Sequence, residues 1–244
     1  KAELNAAEPL TGGTALHGGC LAGNAECAEA LVRAGCDTTI RDKHGRTGRD
    51  VAQAKGHTTV VERLRSLETE KNADMMLNAA GDGNLEHLSR LLDEGCDVNA
   101  LGDSSTSHTT GQPVRKTALH QAVFHEQEAA VKLLLERGAD PSLADNNGVT
   151  PLMLATIQDS LPLLRLLIEA KAELNAVDRD HGTAFHWAVA SGDCGTMGRL
   201  LDGGVDVNAL AENGEDDETG QPIRTTALCV AVVHCQEAAA QLLL

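Results

Sequence analysis

Aromatic side chains are nearly absent from this chain of 244 residues, which contains two phenylalanines, one tryptophan and no tyrosine. A core must therefore be built from Leu, Ala and Val, which favours thin helices packed closely in layers. Basic residues are also few, with 20 Lys and Arg against 36 Asp and Glu and a formal net charge of -16. This balance argues against nucleic-acid or anionic-membrane binding, both of which need clustered Lys and Arg, and it is compatible with a basic protein partner.

Several motifs and segments are missing as well. No apolar run approaches the roughly 18 residues that a membrane-spanning helix needs. The seven cysteines are odd in number and form no Cys-x-x-Cys pair, so we expect a reducing compartment, the cytoplasm or the nucleus. Hydrolase, metalloprotease, phosphate-loop and zinc-site motifs are absent too. The sequence therefore predicts no catalytic residue, no metal site and no cofactor.

A short phrase that begins with threonine recurs along the chain. Three of the intervals between copies, from Thr14, Thr117 and Thr150, are 33 residues long. A fixed period predicts stacked structural repeats, with function on an extended surface. The copies are Thr14-Ala-Leu-His17, Thr117-Ala-Leu-His120, Thr150-Pro-Leu-Met153, Thr183-Ala-Phe-His186, Thr226-Ala-Leu-Cys229 and a degenerate Thr47-Gly-Arg-Asp50.

One period, residues 117–149, shows how a repeat is built. Apolar residues recur at helical spacing from Thr117 to His125 and again over Glu128–Glu136. Gly138 then supplies the left-handed conformation that ends a helix. The polar stretch that follows ends in a tight turn. We call the stretch together with its turn the finger of the repeat. Each repeat is thus predicted as a first helix, a turn, a second helix and a hairpin-like finger.

These features resemble the ankyrin repeat. The Thr-Ala-Leu-His phrase, the Gly138-Ala-Asp140 turn and the Asp145-to-Gly148 finger all occur at that family's spacing, over essentially the whole chain. The resemblance implies an all-α ankyrin-repeat solenoid with short fingers. It also implies a local structural bond between Thr and His in three repeats. Met153 and Cys229 replace the His in two others, which we expect to be held more loosely.

The breaks in the period define the predicted organisation. With Asp74 in the threonine position, seven repeats are present, and the second lacks its finger. We expect a short array over residues 1–68, repeats 1 and 2 after a partial finger, and a longer array over 69–244, repeats 3 to 7. Two long fingers, 101–116 and 210–225, carry ten extra residues each. Both ends lack capping repeats, so we expect a window of a longer array.

The two long fingers belong to a duplicated block. Residues 95–135 and 204–244 align without a gap at 24 of 41 identical positions, whereas residues 102–109 differ everywhere from 211–218. The frame of the finger is therefore kept while its tip varies. The tip Glu215–Glu218 is either a site for a cation or a basic peptide or, the preferred interpretation, a solvated loop.

The resemblance places a partner on a concave face formed by first helices and finger tips. Phe124 beside Ile157 would make an exposed apolar anchor, unless Phe124 packs under the neighbouring long finger. We predict a protein-interaction module that acts as a scaffold or adaptor; the alternative is an architectural or autoinhibitory array inside a larger enzyme. The predicted partner-binding residues are Lys43, His44, Arg46, Phe124, His125, Asn146, Asn147, Val149, Ile157, Gln158, Arg179, Asp180, Val233 and His234.

Four asparagines, Asn5, Asn99, Asn175 and Asn208, occupy the same finger position. The simpler interpretation is a turn residue that bonds its own backbone. In animal members of the family, asparagines in this setting can be hydroxylated, and Asn99 and Asn208 resemble such acceptors.

Overall fold

The computed structural model describes residues 3–106, 113–215, 222–234 and 236–243. The chain divides into two compact units, an N-unit of residues 1–71 and a C-unit of residues 72–244. The described residues form thirteen helices and four strands. The division lies close to the joint expected after residue 68.

The repeats are helix–turn–helix pairs, and the predicted fold class is confirmed. The second helix predicted over Glu128–Glu136 has those bounds in the structure, and the first helix of the same repeat is Ala118–Phe124. The helices are α1 Ala15–Leu21, α2 Ala25–Arg33, α3 Gly48–Ala54, α4 Thr58–Gly81, α5 Leu85–Asp93, α6 Ala118–Phe124, α7 Glu128–Glu136, α8 Pro151–Ile157, α9 Leu161–Glu169, α10 Ala184–Ser191, α11 Cys194–Gly203, α12 Ala227–Val233 and α13 Glu237–Leu243.

The recurrent threonine occupies the N-cap position of six first helices, α1, α3, α6, α8, α10 and α12. Thr117 has extended backbone angles, and its hydroxyl accepts a hydrogen bond from the backbone N–H of His120. This satisfies one of the N–H groups that a helix start leaves without a partner. Capping boxes of this kind are formed by Thr14, Thr47, Thr117, Thr150 and Thr183.

The core of the C-unit is a continuous layer of small and aliphatic side chains. First helices α6, α8, α10 and α12 pack side by side, and second helices α7, α9, α11 and α13 do the same. Leu119, Leu134, Leu152 and Leu164 are fully buried, and Phe185 is the largest side chain among them. The N-unit has its own smaller core around Leu16, whose other members are Cys20, Ala28, Cys36, Ala52, Val60 and Leu64.

Helix α4 differs from the expected pattern. It runs for 24 residues, so the polar stretch from Glu68 to Ala73 is helical and the finger of the second repeat is replaced by helix. The sequence carries no Gly or Pro between Thr58 and Met76 to end the helix.

The two long fingers are antiparallel hairpins with the same register. In the first, strand β1 Gly102–Thr106 pairs with β2 Pro113–Lys116, with Asp103 opposite Arg115. In the second, β3 Leu210–Glu215 pairs with β4 Pro222–Thr226, with Glu212 opposite Arg224. A register irregularity follows each acidic residue. The copied frame predicted from the sequence thus extends to the pairing of strands; residues 107–112 and 216–221 lie outside the described part.

Candidate functional site

The buried histidine of the fourth repeat connects two repeats. The backbone N–H of Thr117 donates to His120 Nδ1 at 3.3 Å, and His120 Nε2 lies 3.0 Å from the carbonyl oxygen of Val149. Because a backbone N–H can only donate, Nδ1 is the acceptor and Nε2 carries the proton. Val149 directly precedes Thr150, so the imidazole ties the start of one repeat to the start of the next.

His17 makes the same two bonds in the N-unit, with Thr14 N–H at 3.1 Å and the carbonyl of Arg46 at 3.0 Å. In the sixth repeat, Thr183 N–H donates to His186 Nδ1 at 3.3 Å. His186 Nε2 is buried and has no hydrogen-bond partner of good geometry in the described part of the chain, although the backbone of Thr225 lies nearby. Sequence reasoning predicted the local Thr–His bond and missed the bond to the following repeat.

Other side chains take the histidine position in the remaining repeats. Asp50, part of the phrase interpreted as degenerate, accepts from the Thr47 N–H at 2.8 Å and from its hydroxyl at 2.9 Å. In contrast, Met153 offers only a thioether to the Thr150 N–H, at 3.5 Å, and Cys229 a thiol to the Thr226 hydroxyl, at 3.6 Å. Among the described residues, none of these three side chains bonds the next repeat. The looser hold expected at Met153 and Cys229 stays a prediction.

Aspartates shape the short fingers and neighbouring fingers bond to each other. The Oδ1 atom of Asp145 accepts from the backbone N–H groups of Asn147 and Val149, at 2.7 and 2.9 Å. Gly148 has a φ of 79°, and an added Cβ there would lie 3.0 Å from the Cα of Asp178 in the next finger. Glycine is therefore required by both conformation and space. Fingers in the C-unit consequently pack backbone to backbone.

Three of the four finger asparagines bond the next repeat, so the prediction that they bond their own backbone is wrong for Asn5, Asn99 and Asn175. Asn99 Oδ1 accepts from the backbone N–H of Asp140 at 2.8 Å. Asn5 and Asn175 do the same with Asp37 and Asp206, each at 2.8 Å. The sequence period hides this because the acceptor and the donor lie 31 to 41 residues apart. Asn99 is half-buried and Asn208 exposed; their hydroxylation stays a prediction.

The two side chains of the predicted apolar anchor are exposed and lie on adjacent helices. Phe124 and Ile157 are 49% and 52% exposed. They end the adjacent helices α6 and α8, and the side-chain amide of Gln158 donates to the Phe124 carbonyl at 2.6 Å. The ammonium of Lys116, from β2, lies 5.1 Å from the Phe124 ring centre, so the ring touches the long finger without being covered by it. His125 meets the same ring edge-on at 5.2 Å.

Trp187 belongs to the same set of first helices but is not among the predicted partner-binding residues. It lies on α10 and is 40% exposed. Its indole N–H donates to Asp178 Oδ2 at 3.0 Å, while Asp178 Oδ1 accepts from the backbone of its own finger. Its position in the repeat could have indicated this exposure. Trp187 lies four residues after Thr183, and the residues four after Thr117 and Thr150, Gln121 and Leu154, are partly exposed.

Most of the predicted site residues that lie in fingers make hydrogen bonds within the repeat array. Asn146 Oδ1 accepts from the Arg115 N–H at 3.2 Å, and the Arg179 N–H donates to the Asn147 carbonyl at 3.2 Å. The guanidinium of Arg179 also donates to the Asn146 carbonyl. Asp180, Val233 and His234 are exposed, whereas Val149 is half-buried and its carbonyl bonds His120.

The predicted residues of the N-unit form a separate group. Lys43 Nζ donates to the carbonyl of Pro9 at 2.7 Å, and the Arg46 guanidinium pairs with Asp42 at 2.7 Å. That pairing, with backbone N–H donors, holds the pKa of Asp42 down at about 2. His44 is exposed. The N-unit and the C-unit therefore each carry their own part of the predicted surface.

A pair of carboxyl groups lies at the turns between first and second helices. The Asp159 carboxyl group lies against that of Asp193, and a shared proton and mutual repulsion raise the pKa of Asp159. Asp193 caps α11, accepting from the backbone of Gly195 and Thr196 at 3.0 and 2.8 Å. Although burial opposes it, the net effect of the bonds from Asp159 and Thr196 lowers the pKa of Asp193. Asp159 is therefore the partner that takes up a proton first.

The described part of the chain contains neither a membrane-spanning helix nor a cluster of metal-binding side chains. Within residues 3–106, 113–215, 222–234 and 236–243, no helix is both long and apolar enough to cross a bilayer. In the same ranges, His, Cys, Asp and Glu side chains form no group of three suited to a metal ion. Most of the acidic tip Glu215–Glu218, and Cys235, lie outside these ranges.

Comparison with known proteins identifies the repeats. Residues 50–145 and 129–211 match the family described as Ankyrin repeats (3 copies), and residues 11–43 match the family described as Ankyrin repeat. The matched segments cover more than half of the chain.

Individual relatives are similar over part of their length. The Escherichia coli (strain K12) ankyrin repeat protein YahD is 32% identical over 53% of this chain, and human Ankyrin repeat and SOCS box protein 6 is 31% identical over 68%. Bovine mitochondrial disaggregase is 30% identical over 64% of the chain. The chain spans 59%, 38% and 22% of these proteins, in that order, so each relative is considerably longer than the matched region.

Proposed function

Because this chain belongs to the ankyrin repeat family, we propose that it is a non-catalytic protein-interaction module, a scaffold or adaptor that holds another protein on its first helices and fingers. Ankyrin repeats are protein-binding modules in general. The finer assignment is supported by one observation, the exposure of Phe124 and Ile157 on adjacent first helices that the Gln158 side-chain amide links through its bond to the Phe124 carbonyl. Large apolar side chains held rigidly at the surface are typical anchors of protein interfaces.

The experiment compares partner capture by the wild-type chain and by the double variant Phe124→Glu, Ile157→Glu. Both side chains are about half exposed, so the variant is expected to fold, which far-UV circular dichroism and the melting temperature check. Leu161→Glu is a matched control, since Leu161 is 41% exposed at the start of the second helix α9. Loss of captured proteins in the double variant alone supports the proposal. Equal capture by all three chains contradicts it.

The second candidate is an architectural or autoinhibitory array within a larger enzyme. It is favoured by the partial coverage of the relatives, one of which is named a disaggregase. An array of this kind should tolerate Phe124→Glu and Ile157→Glu but should fail when one repeat, such as residues 150–182, is deleted. The interaction module should show the opposite ranking.

We further propose a cytoplasmic or nuclear location. The six cysteines in the described ranges are free thiols, a state that a reducing compartment maintains. Fractionation of cells that express the tagged chain tests this.

A further inference from the structure

The charge of this chain is distributed unevenly between the two units. Residues 1–71 contain 10 basic and 10 acidic residues, whereas residues 72–244 contain 10 basic and 26 acidic residues. The whole net charge of -16 therefore belongs to the C-unit. A surface in such a field attracts a cationic partner and raises its association rate.

The exposed anchors of the C-unit lie on three successive first helices. Phe124 is on α6, Ile157 on α8 and Trp187 on α10, and each of these helices packs on the next. We call these three side chains the apolar strip. Helices in contact are about 8–10 Å apart. Two turns of a helix, seven residues, rise about 10.5 Å. Apolar residues seven apart on a partner helix would therefore meet Phe124 and Ile157. Trp187 lies about one helical turn nearer the start of its helix, so it extends the apolar strip at an angle.

Charge differs across the apolar strip. At its finger side, Lys116 lies over the ring of Phe124. At its other side, Glu126 and Asp159 follow α6 and α8 by two residues and are both exposed. Their backbones are in the left-handed region, with φ of 54° and 55°, so each acidic residue occupies a sharp turn at the end of its helix. Asp193 lies against Asp159 and adds a third carboxylate there. The apolar strip thus has a carboxylate edge at the turns, and on its finger side a basic group, Lys116, at the Phe124 end.

On these observations, and resting on the proposed interaction function, we propose that the apolar strip docks an amphipathic helical segment of a partner protein whose apolar seam is flanked by Lys or Arg. The apolar seam contacts Phe124, Ile157 and Trp187. The basic side chains of the segment lie over Glu126 and Asp159, because Lys116 repels them from the finger side next to Phe124. An acidic amphipathic segment would meet like charge at the carboxylate edge and throughout the field of the C-unit.

The test uses the full chain and two synthetic helical peptides of about 18 residues, five turns. One has leucines at amphipathic spacing and lysines elsewhere; the other has glutamate in place of every lysine. Trp187 is the only tryptophan of the chain and a member of the strip, so its fluorescence reports docking directly. Affinity is measured independently by calorimetry, at low and at physiological salt.

We expect the lysine peptide to bind with a change in Trp187 emission, and the glutamate peptide to bind at least about tenfold more weakly. The double variant Phe124→Glu, Ile157→Glu should bind the lysine peptide with an affinity lower by about tenfold or more. The double variant Glu126→Gln, Asp159→Asn should lower the affinity for the lysine peptide by about threefold at low salt and by less at higher salt. The matched control, Glu128→Gln with Glu136→Gln, removes the same charge from the second helix α7 and should change little.

The outcomes separate this proposal from the general function. Equal binding of both peptides, still abolished by the two glutamate substitutions in the strip, overturns the basic partner but keeps the docking surface. If the wild type and every variant bind the lysine peptide equally and Trp187 emission does not change, the binding is non-specific electrostatic attraction. That result overturns the proposal. Binding weakened as much by the α7 control as by the turn variants overturns the assigned carboxylate edge. If neither peptide binds, the proposal also fails, while partner capture tests the general function independently.

Discussion

His120 and Val149 are joined by a hydrogen bond of 3.0 Å that spans 29 residues of the chain and one repeat boundary. The imidazole can make this bond and accept from Thr117 only when it is neutral, with the proton on Nε2. Burial lowers the pKa of His120 to about 4 and outweighs the opposing effect of the Val149 carbonyl. A repeat protein depends on the interfaces between neighbours, so this bond contributes directly to the coupling of the two repeats.

The first prediction is a loss of stability on acidification through His120. An unfolded histidine takes up a proton near pH 6.5 and the folded His120 only near pH 4, so stability is complete above pH 6.5 and falls as the pH decreases between these values. The shift corresponds to about 3 kcal/mol across that interval. Denaturant unfolding of the wild type and His120→Met, the residue found at position 153, measures it. The variant should have a lower free energy of unfolding than the wild type at pH 7, and this free energy should decrease less on acidification. An equal dependence of the unfolding free energy on pH in both chains contradicts the assignment.

A second prediction concerns Lys171, which has a φ of 67° where four other repeats have glycine, at positions 35, 95, 138 and 204. A side chain in the left-handed region costs about 1–2 kcal/mol. Glycine avoids this cost but loses more entropy on folding. Lys171→Gly is therefore expected to stabilise the chain by about 0.5 kcal/mol. The converse change, Gly138→Lys, should destabilise it through backbone strain alone, because Gly138 has a φ of 87° and an added Cβ there would meet open space. Urea unfolding of both variants decides; the same sign for both would refute the argument.

A third prediction follows from the carboxyl pair. Because Asp193 raises the pKa of Asp159, the folded state holds that proton more tightly than the unfolded chain. The stability associated with the proton is present below the ordinary pKa of an aspartate and is lost as the pH rises through the raised value. Asp159→Asn removes the repulsion and keeps a residue that tolerates positive φ. It should raise the melting temperature at pH 7 and lose that advantage at pH 3. Asp82→Asn, in the equivalent turn of an earlier repeat, is the control and should show no such pH dependence.

The sequence predicted the helices well because each repeat contains local signals for the start and the end of its helices. Thr117 caps the first helix, Gly138 follows the second, and the apolar residues between them have helical spacing. Helix α4 was harder to predict, because the period alone does not show whether a missing finger becomes a loop or a continuous helix. Polar residues such as Glu68 and Glu70 have good helix propensity, and this local preference decides the outcome.

The site was predicted less completely, for a geometric reason. A period shows which residues are equivalent, but it does not show which repeat supplies the partner. His120 and Asn99 were both interpreted as local, whereas each bonds the following repeat. Trp187 was missed because it occupies a different helical position from Phe124 and Ile157, although all three are exposed on first helices. Exposure in a repeat depends on the neighbours, which the sequence of one repeat does not contain.

The last prediction tests the bonds between fingers, using the serine that the chain itself employs. Asn99 accepts from the Asp140 N–H, and Ser142 Oγ accepts from the Glu173 N–H, each at 2.8 Å. Asn99→Ala leaves that N–H without its acceptor, whereas Asn99→Ser provides an oxygen at the equivalent position. We expect the alanine variant to lose about 1 kcal/mol and the serine variant clearly less. Hydrogen exchange of the Asp140 amide should accelerate in the alanine variant alone. Equal exchange in both variants would mean that the bond to Asn99 does not protect this amide, and that backbone packing between the repeats suffices.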